Sequence, residues 1–128
     1  EEFARLLKPG GRLILTAPFC SLTHFAPYHF YTGYNRYFYE THLAKAGFTI
    51  IDMQKNGNYF DYLAQEVWRV PDVAHRYAGH QPNIIELLIM KMYLYVLKSF
   101  SLKDRGSGEL LNFGYHILAI KENNKEKS

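Results

Sequence analysis

Two histidines, His24 and His29, stand in a stretch, residues 18 to 34, that has no helical period and is interrupted by Pro18, Pro27 and Gly33. Histidine gains and loses its proton near neutral pH, so either imidazole could act as a general base toward an acceptor hydroxyl. An ordinary loop histidine is the competing reading for each. Around them Phe25, Tyr28, Phe30, Tyr31, Tyr34, Tyr37, Phe38 and Tyr39 fall within 15 residues. Rings at this density could cover an apolar or aromatic acceptor and keep water from it, with Tyr28 and Tyr31 favoured because they precede the next helix. Several of the rings are equally suited to packing a loop and a helix against a sheet. Arg36 could meet an anionic acceptor, or pair with Glu40 one helical turn on.

The other reactive side chains carry less. His42 reads as a helix-surface residue, and Trp68 as core or interface. His75 and His80, with Arg76 between them, have no third ligand nearby, so no metal site is expected. Cys20 is the single cysteine, which excludes an intrachain disulfide and a zinc cage and points to a reducing, cytoplasmic setting. The residue itself reads as small and buried.

These side chains need elements to position them. Phe3, Leu6 and Leu7 have helical spacing and run into Pro9-Gly10-Gly11, which reads as the last two turns of a helix begun upstream, with no leader sequence. Leu13, Ile14 and Leu15 form a continuous apolar run, the pattern of a strand covered on both faces. After the loop, residues 35 to 46 restore helical spacing and Gly47 takes the capping position. A strand from Phe48 to Gln54 follows and closes at Asn56-Gly57.

Residues 59 to 69 read as a helix that Pro71-Asp72 ends. The run from Ile84 to Phe100 contains only three charges, Glu86, Lys91 and Lys98, and predicts a helix apolar over most of its circumference. It falls short of the roughly 20 apolar residues that span a bilayer. Burial across this segment or a homodimer contact is the preferred reading, and a peripheral membrane contact is the alternative. KDRGSGE then reads as a flexible turn, and Leu111 to Ile120 as a last strand.

With 128 residues, 48% hydrophobic and 21% charged, the chain has the composition of one globular domain. No internal repeat appears. Fifteen Lys and Arg against 12 Asp and Glu leave a formal charge of +3, with no basic run in the body, so a nucleic-acid partner is not expected. KENNKEKS has no apolar residue and reads as a frayed tail and a natural terminus.

Three segments together, LLKPGGRLILTAP at 6 to 18, HLAKAGFTIIDM at 42 to 53 and NFGYHILAIKE at 112 to 122, resemble the C-terminal half of a class I S-adenosylmethionine-dependent methyltransferase. PFCSLTHFAPYHFYTGYNRYFYETHL is similar to the stretch that follows the fifth strand in many relatives. The resemblance implies an α/β fold: the C-terminal part of a Rossmann-like sheet, with two parallel strands plus a final antiparallel strand and an inserted helical segment. Residues 1–57 and 111–122 would be the C-terminal half of the methyltransferase domain, 58–110 a helical insertion or cap, and 123–128 a disordered tail.

The resemblance further implies S-adenosylmethionine as cofactor and a small-molecule acceptor methylated on oxygen, nitrogen or carbon. It makes His24 and His29 the catalytic candidates and Phe19, Tyr28, Tyr31, Tyr34 and Arg36 the acceptor-binding ones. The family's glycine-rich turn and its ribose-binding acid have no counterpart here, and Gly106-Ser107-Gly108 precedes a strand instead of following one. The cofactor residues are therefore expected mainly in an N-terminal half upstream, and this segment alone is expected to be inactive. A non-enzymatic interaction module built on the aromatic loop and the apolar helix is the rival.

Overall fold

The last strand in the sequence, β3 (Gly114–Lys121), is the middle strand of a three-stranded sheet in the computed structural model, which describes residues 2–24 and 27–123. It is flanked by β1 (Arg12–Pro18) and β2 (Phe48–Asn56), and both ladders are antiparallel. This corrects the expected sheet of two parallel strands plus a final antiparallel one. β1 and β2 share no ladder, every pairing among the described residues is antiparallel, and no Rossmann-like parallel sheet is present. Local apolar patterning identifies a strand, but it does not identify the strand's neighbour.

Burial of β1 also differs from expectation. Leu13 is 8% exposed while the adjacent Ile14 is 79% exposed, because the packed helices of this unit cover one face of the sheet and successive side chains alternate between faces. The chain divides into two compact units, Glu1–Asn56 with Phe113–Ser128, and Gly57–Asn112. Of the expected tail, only Asn123 lies within the described residues.

In the first unit the covered face carries Tyr115, Ile117 and Ala119 of β3, each at most 2% exposed. Their cross-strand partners on β1 are Ala17, Leu15 and Leu13. Helix α1 (Glu2–Leu6) begins the chain, and Ala4 with the following Leu7 packs on Leu13, Phe48 and Ala119. The Lys121 ammonium donates to the Leu7 carbonyl at 2.7 Å and to that of Ala4, placing a cation on the carbonyls that a helix end leaves without partners. Helix α2 (Arg36–Lys45) is capped by Asn35, whose side chain accepts from the Phe38 amide at 3.2 Å, and it buries Tyr39. In β2 a bulge between Ile50 and Asp52 turns Ile51 outward and returns Met53 to the side of Ile117. That extra residue is why the alternation of this strand reads loosely in the sequence.

The second unit is a helical hairpin. Helix α3 (Tyr59–Val73) and helix α4 (Ile84–Ser101) each start with a complete capping box, Asn58 with Asp61 and Asn83 with Glu86. Ser101 joins the helices by donating to Asp61 at 2.6 Å and accepting from Asn58 at 3.0 Å. Helix α3 continues through Pro71, which was expected to end it, and runs on into a π-helical turn, Ala74–Ala78, that stops at the left-handed Gly79. Proline removes one donor from the helical ladder and crowds the preceding turn, but an otherwise continuous helix can absorb that loss, and a π turn follows.

KDRGSGE is also more ordered than expected. The Asp104 carboxylate accepts from the Gly106 and Ser107 amides at 3.0 and 3.1 Å, and a 3-10 turn spans Ser107–Glu109. β3 starts at Gly114 rather than Leu111, since the fully buried Asn112 amide turns back to donate to the Gly108 carbonyl at 2.8 Å.

Two predictions follow from these contacts. The buried Tyr115 hydroxyl has no hydrogen-bond partner among the described residues, and leaving such a group unmet costs about 1–3 kcal/mol. Tyr115→Phe is therefore expected to leave folding stability unchanged or to raise it by about 1 kcal/mol in urea denaturation. A loss of more than about 1 kcal/mol would contradict this. The second concerns Glu86, whose carboxyl is held below the usual range by the His80 ring at 3.0 Å and the Asn83 amide at 2.7 Å. With the folded pKa depressed, this contribution is present above the unfolded value of about 4.3 and lost as pH falls through the folded value. Protection of the amides in the first turn of α4, measured against their intrinsic exchange rates, should fall as pH drops below the ordinary glutamate range, and Glu86→Gln should abolish that step. A profile in the parent chain that stays flat from about pH 6 to about pH 3 would be the contrary result.

Candidate functional site

The chain leaves the sheet at the end of β1 and returns at Asn35, the cap of α2. Hydrogen bonds close the base of this excursion. The Tyr34 amide donates to the Pro18 carbonyl at 3.1 Å, the Phe19 amide to the Phe113 carbonyl at 3.1 Å, and the Ser21 hydroxyl to the Thr32 carbonyl at 2.8 Å. Gly33 sits at the crossing with φ of 146°. A Cβ there would collide with the Pro18 carbonyl oxygen and lie 2.6 Å from that of Phe19, so only glycine lets the two backbones pass.

The rings of the loop divide into two sets. Tyr34 stacks on Phe38 with centroids 3.8 Å apart and meets Tyr39 edge-on at 6.4 Å. Tyr39 and Phe19 each lie 5.9 Å from Tyr115. Phe19 and Tyr34, both expected to bind the acceptor, thus belong to the packed cluster that holds the loop to the sheet. Tyr28 and Tyr31 form the other set, 79% and 70% exposed, together with the exposed Phe30 and Tyr37. Phe25 lies outside the described residues.

The structure brings the two histidines together, with ring centroids 4.6 Å apart. His24 Nδ1 lies 2.8 Å from the Leu22 carbonyl. A carbonyl only accepts, so in the neutral ring Nδ1 carries the proton and Nε2 is the basic nitrogen. His29 Nε2 is buried without a hydrogen-bond partner among the described residues. His80 is engaged with Glu86, and no group of three or more His, Cys, Asp or Glu forms among the described residues.

Arg36 forms the helical pair with Glu40, with Nη2 2.6 Å and Nε 3.0 Å from the same carboxylate oxygen. Both line a cleft of about 370 Å³ between α2 and β2, walled also by Asp52, Lys55 and Tyr115. Two cations and two anions at one cleft suit a small polar molecule. Neither histidine is among its walls.

Sequence reasoning missed the importance of Tyr39 and Tyr115, whose hydroxyls are both buried without a partner among the described residues. Burial, followed by the neighbouring Tyr34 and Tyr115 phenols, pushes the Tyr39 hydroxyl up, so at neutral pH it is a donor and not a base. The available signal was the alternation Tyr115, Ile117, Ala119, which places Tyr115 on the apolar face.

The start of α3 does not fit S-adenosylmethionine. Gly57 lies between a strand and a helix, but the first amides of that helix, those of Phe60 and Asp61, are already taken by the Asn58 side chain at 2.9 and 3.0 Å. The Asp61 carboxylate closes the same end by accepting from the Asn58 amide. A self-capped helix start offers a cofactor no donors, and no cofactor contact is assigned to this chain. Comparison with protein-family models, curated proteins and solved structures finds no match in any of the three.

Gly33→Ala is expected to open the base of the loop and cost about 1–3 kcal/mol of stability in chemical denaturation, with loss of amide protection at Tyr34. Unchanged protection at Tyr34 in that variant would show that the crossing is not tight.

Proposed function

We propose that this chain forms the acceptor side of an S-adenosylmethionine-dependent methyltransferase acting on a small molecule. The observation that carries the reading is the loop after β1, fixed at its base around Gly33 and bearing the His24–His29 pair beside the exposed Tyr28 and Tyr31. Long ordered loops at strand ends are where binding and catalytic groups concentrate. The resembling segments add support, since all three, Asn112 apart, belong to the first unit, around β1, β2 and β3.

In this reading His24 Nε2 accepts the proton of an acceptor hydroxyl, and His29 packs beside it. Tyr28 and Tyr31 close over the acceptor and exclude water. Arg36 and Lys55, with Glu40 and Asp52 beside them, suit a polar group of the acceptor at the cleft beside α2. The cofactor is held by residues outside this sequence, and the enzyme works in the cytoplasm. Among the described residues, no helix is long and apolar enough to cross a membrane. The exposed apolar face of α4 favours a second reading, an interaction module without chemistry.

The test is to read the coding sequence upstream of Glu1, express the extended chain and titrate it with S-adenosylhomocysteine in a calorimeter. Saturable micromolar binding is expected, and His24→Gln should lower turnover about 100-fold while leaving that affinity unchanged. A folded extended chain that binds no nucleoside would overturn the enzyme reading in favour of the module.

A further inference from the structure

Helix α4 has two apolar faces and only one is used within its unit. Leu97 is buried and Met90 and Leu94 are half-buried on the side of α3, where Phe60 also meets Phe100 at 5.5 Å. On the opposite side Ile85, Leu88, Ile89, Met92, Tyr95 and Val96 recur at steps of three and four residues, the spacing of a helix-packing seam. Met92 and Tyr95 are 71% and 77% exposed, and the other four also lie open. Glu86, Lys91 and Lys98 lie on the flanks of the seam, not within it.

We propose that this seam is an isologous interface on which α4 of a second copy of the chain packs antiparallel. The proposal is independent of the acceptor reading. The pattern is self-complementary about Met92, as a two-fold contact requires. An antiparallel crossing there sets Met92 against its own copy, Leu88 against the copy's Val96, and Ile89 against the copy's Tyr95. The exposed surface of these side chains is on the order of the ~800 Å² per partner that a stable interface buries, well above the patch a monomer usually leaves in water. Charge argues against a lipid surface as occupant. Gly57–Asn112 carries six Lys and Arg against six Asp and Glu, without the basic excess that draws a peripheral helix to anionic lipid.

The experiment is sedimentation equilibrium of the chain and its Met92→Glu variant, with Lys103→Glu as a control. A dimer is expected for the chain and the control, with dissociation at least about 30-fold easier in Met92→Glu. A second readout places the axis. In a Cys20→Ser background, Met92→Cys should form an intermolecular disulfide on oxidation, whereas Leu102→Cys should not. A chain that stays monomeric, or a dimer that Met92→Glu leaves intact, overturns the proposal. So does a monomer that co-sediments with phosphatidylcholine–phosphatidylglycerol vesicles, which would make lipid the occupant.

Discussion

The first unit depends on β3 lying between β1 and β2. A central strand has both of its hydrogen-bonding edges satisfied, and its inward residues meet neighbours on two sides. Here those residues are Tyr115, Ile117 and Ala119, and both apolar clusters of the unit are built on them. Burial of a side chain the size of Ile117 contributes about 2 kcal/mol. Without β3, β1 and β2 would have no partner, and the α1 and α2 contacts would have no floor. The strand arrives only after the chain has passed through Gly57–Asn112, so the unit is assembled by contacts of long sequence range, which form slowly.

The loop inherits its order from the same strand. Phe19 leaves β1 bonded to the Phe113 carbonyl, just ahead of β3, and its ring lies on Tyr115. Tyr34 comes back to Pro18 and stacks into the cluster that reaches Tyr115 through Tyr39. Between these ends lie the His24–His29 pair and the exposed Tyr28 and Tyr31. Rigid ends with accessible side chains between them are what a binding loop needs, because the entropy of positioning is then met by folding and not by the ligand.

Much of this was legible in the sequence where the signal is local. The helix ending at Gly47, the strand starting at Phe48 and the Arg36–Glu40 pair all follow from spacing within a few residues. What was not legible depends on partners far away in the chain. Leu13, Ile14 and Leu15 look alike as a run, yet only a layer on both sheet faces would bury all three, and Ile14 is open. The order of the strands and their antiparallel pairing belong to the same class of information. Phe19, Tyr28, Tyr31 and Tyr34 likewise form one set by type, and the fold divides them into cluster and surface. Pro71 shows the converse, a strong local stop signal overruled by the continuing helix.

The most direct test of this account is native-state hydrogen exchange followed residue by residue. The β3 amides should be the slowest to exchange in the first unit, and the Phe19 and Tyr34 amides should share their protection, since the same strand holds the sheet and the base of the loop. Protection at β3 with rapid exchange at Phe19 and Tyr34 would contradict the claim that the base of the loop is part of the folded core.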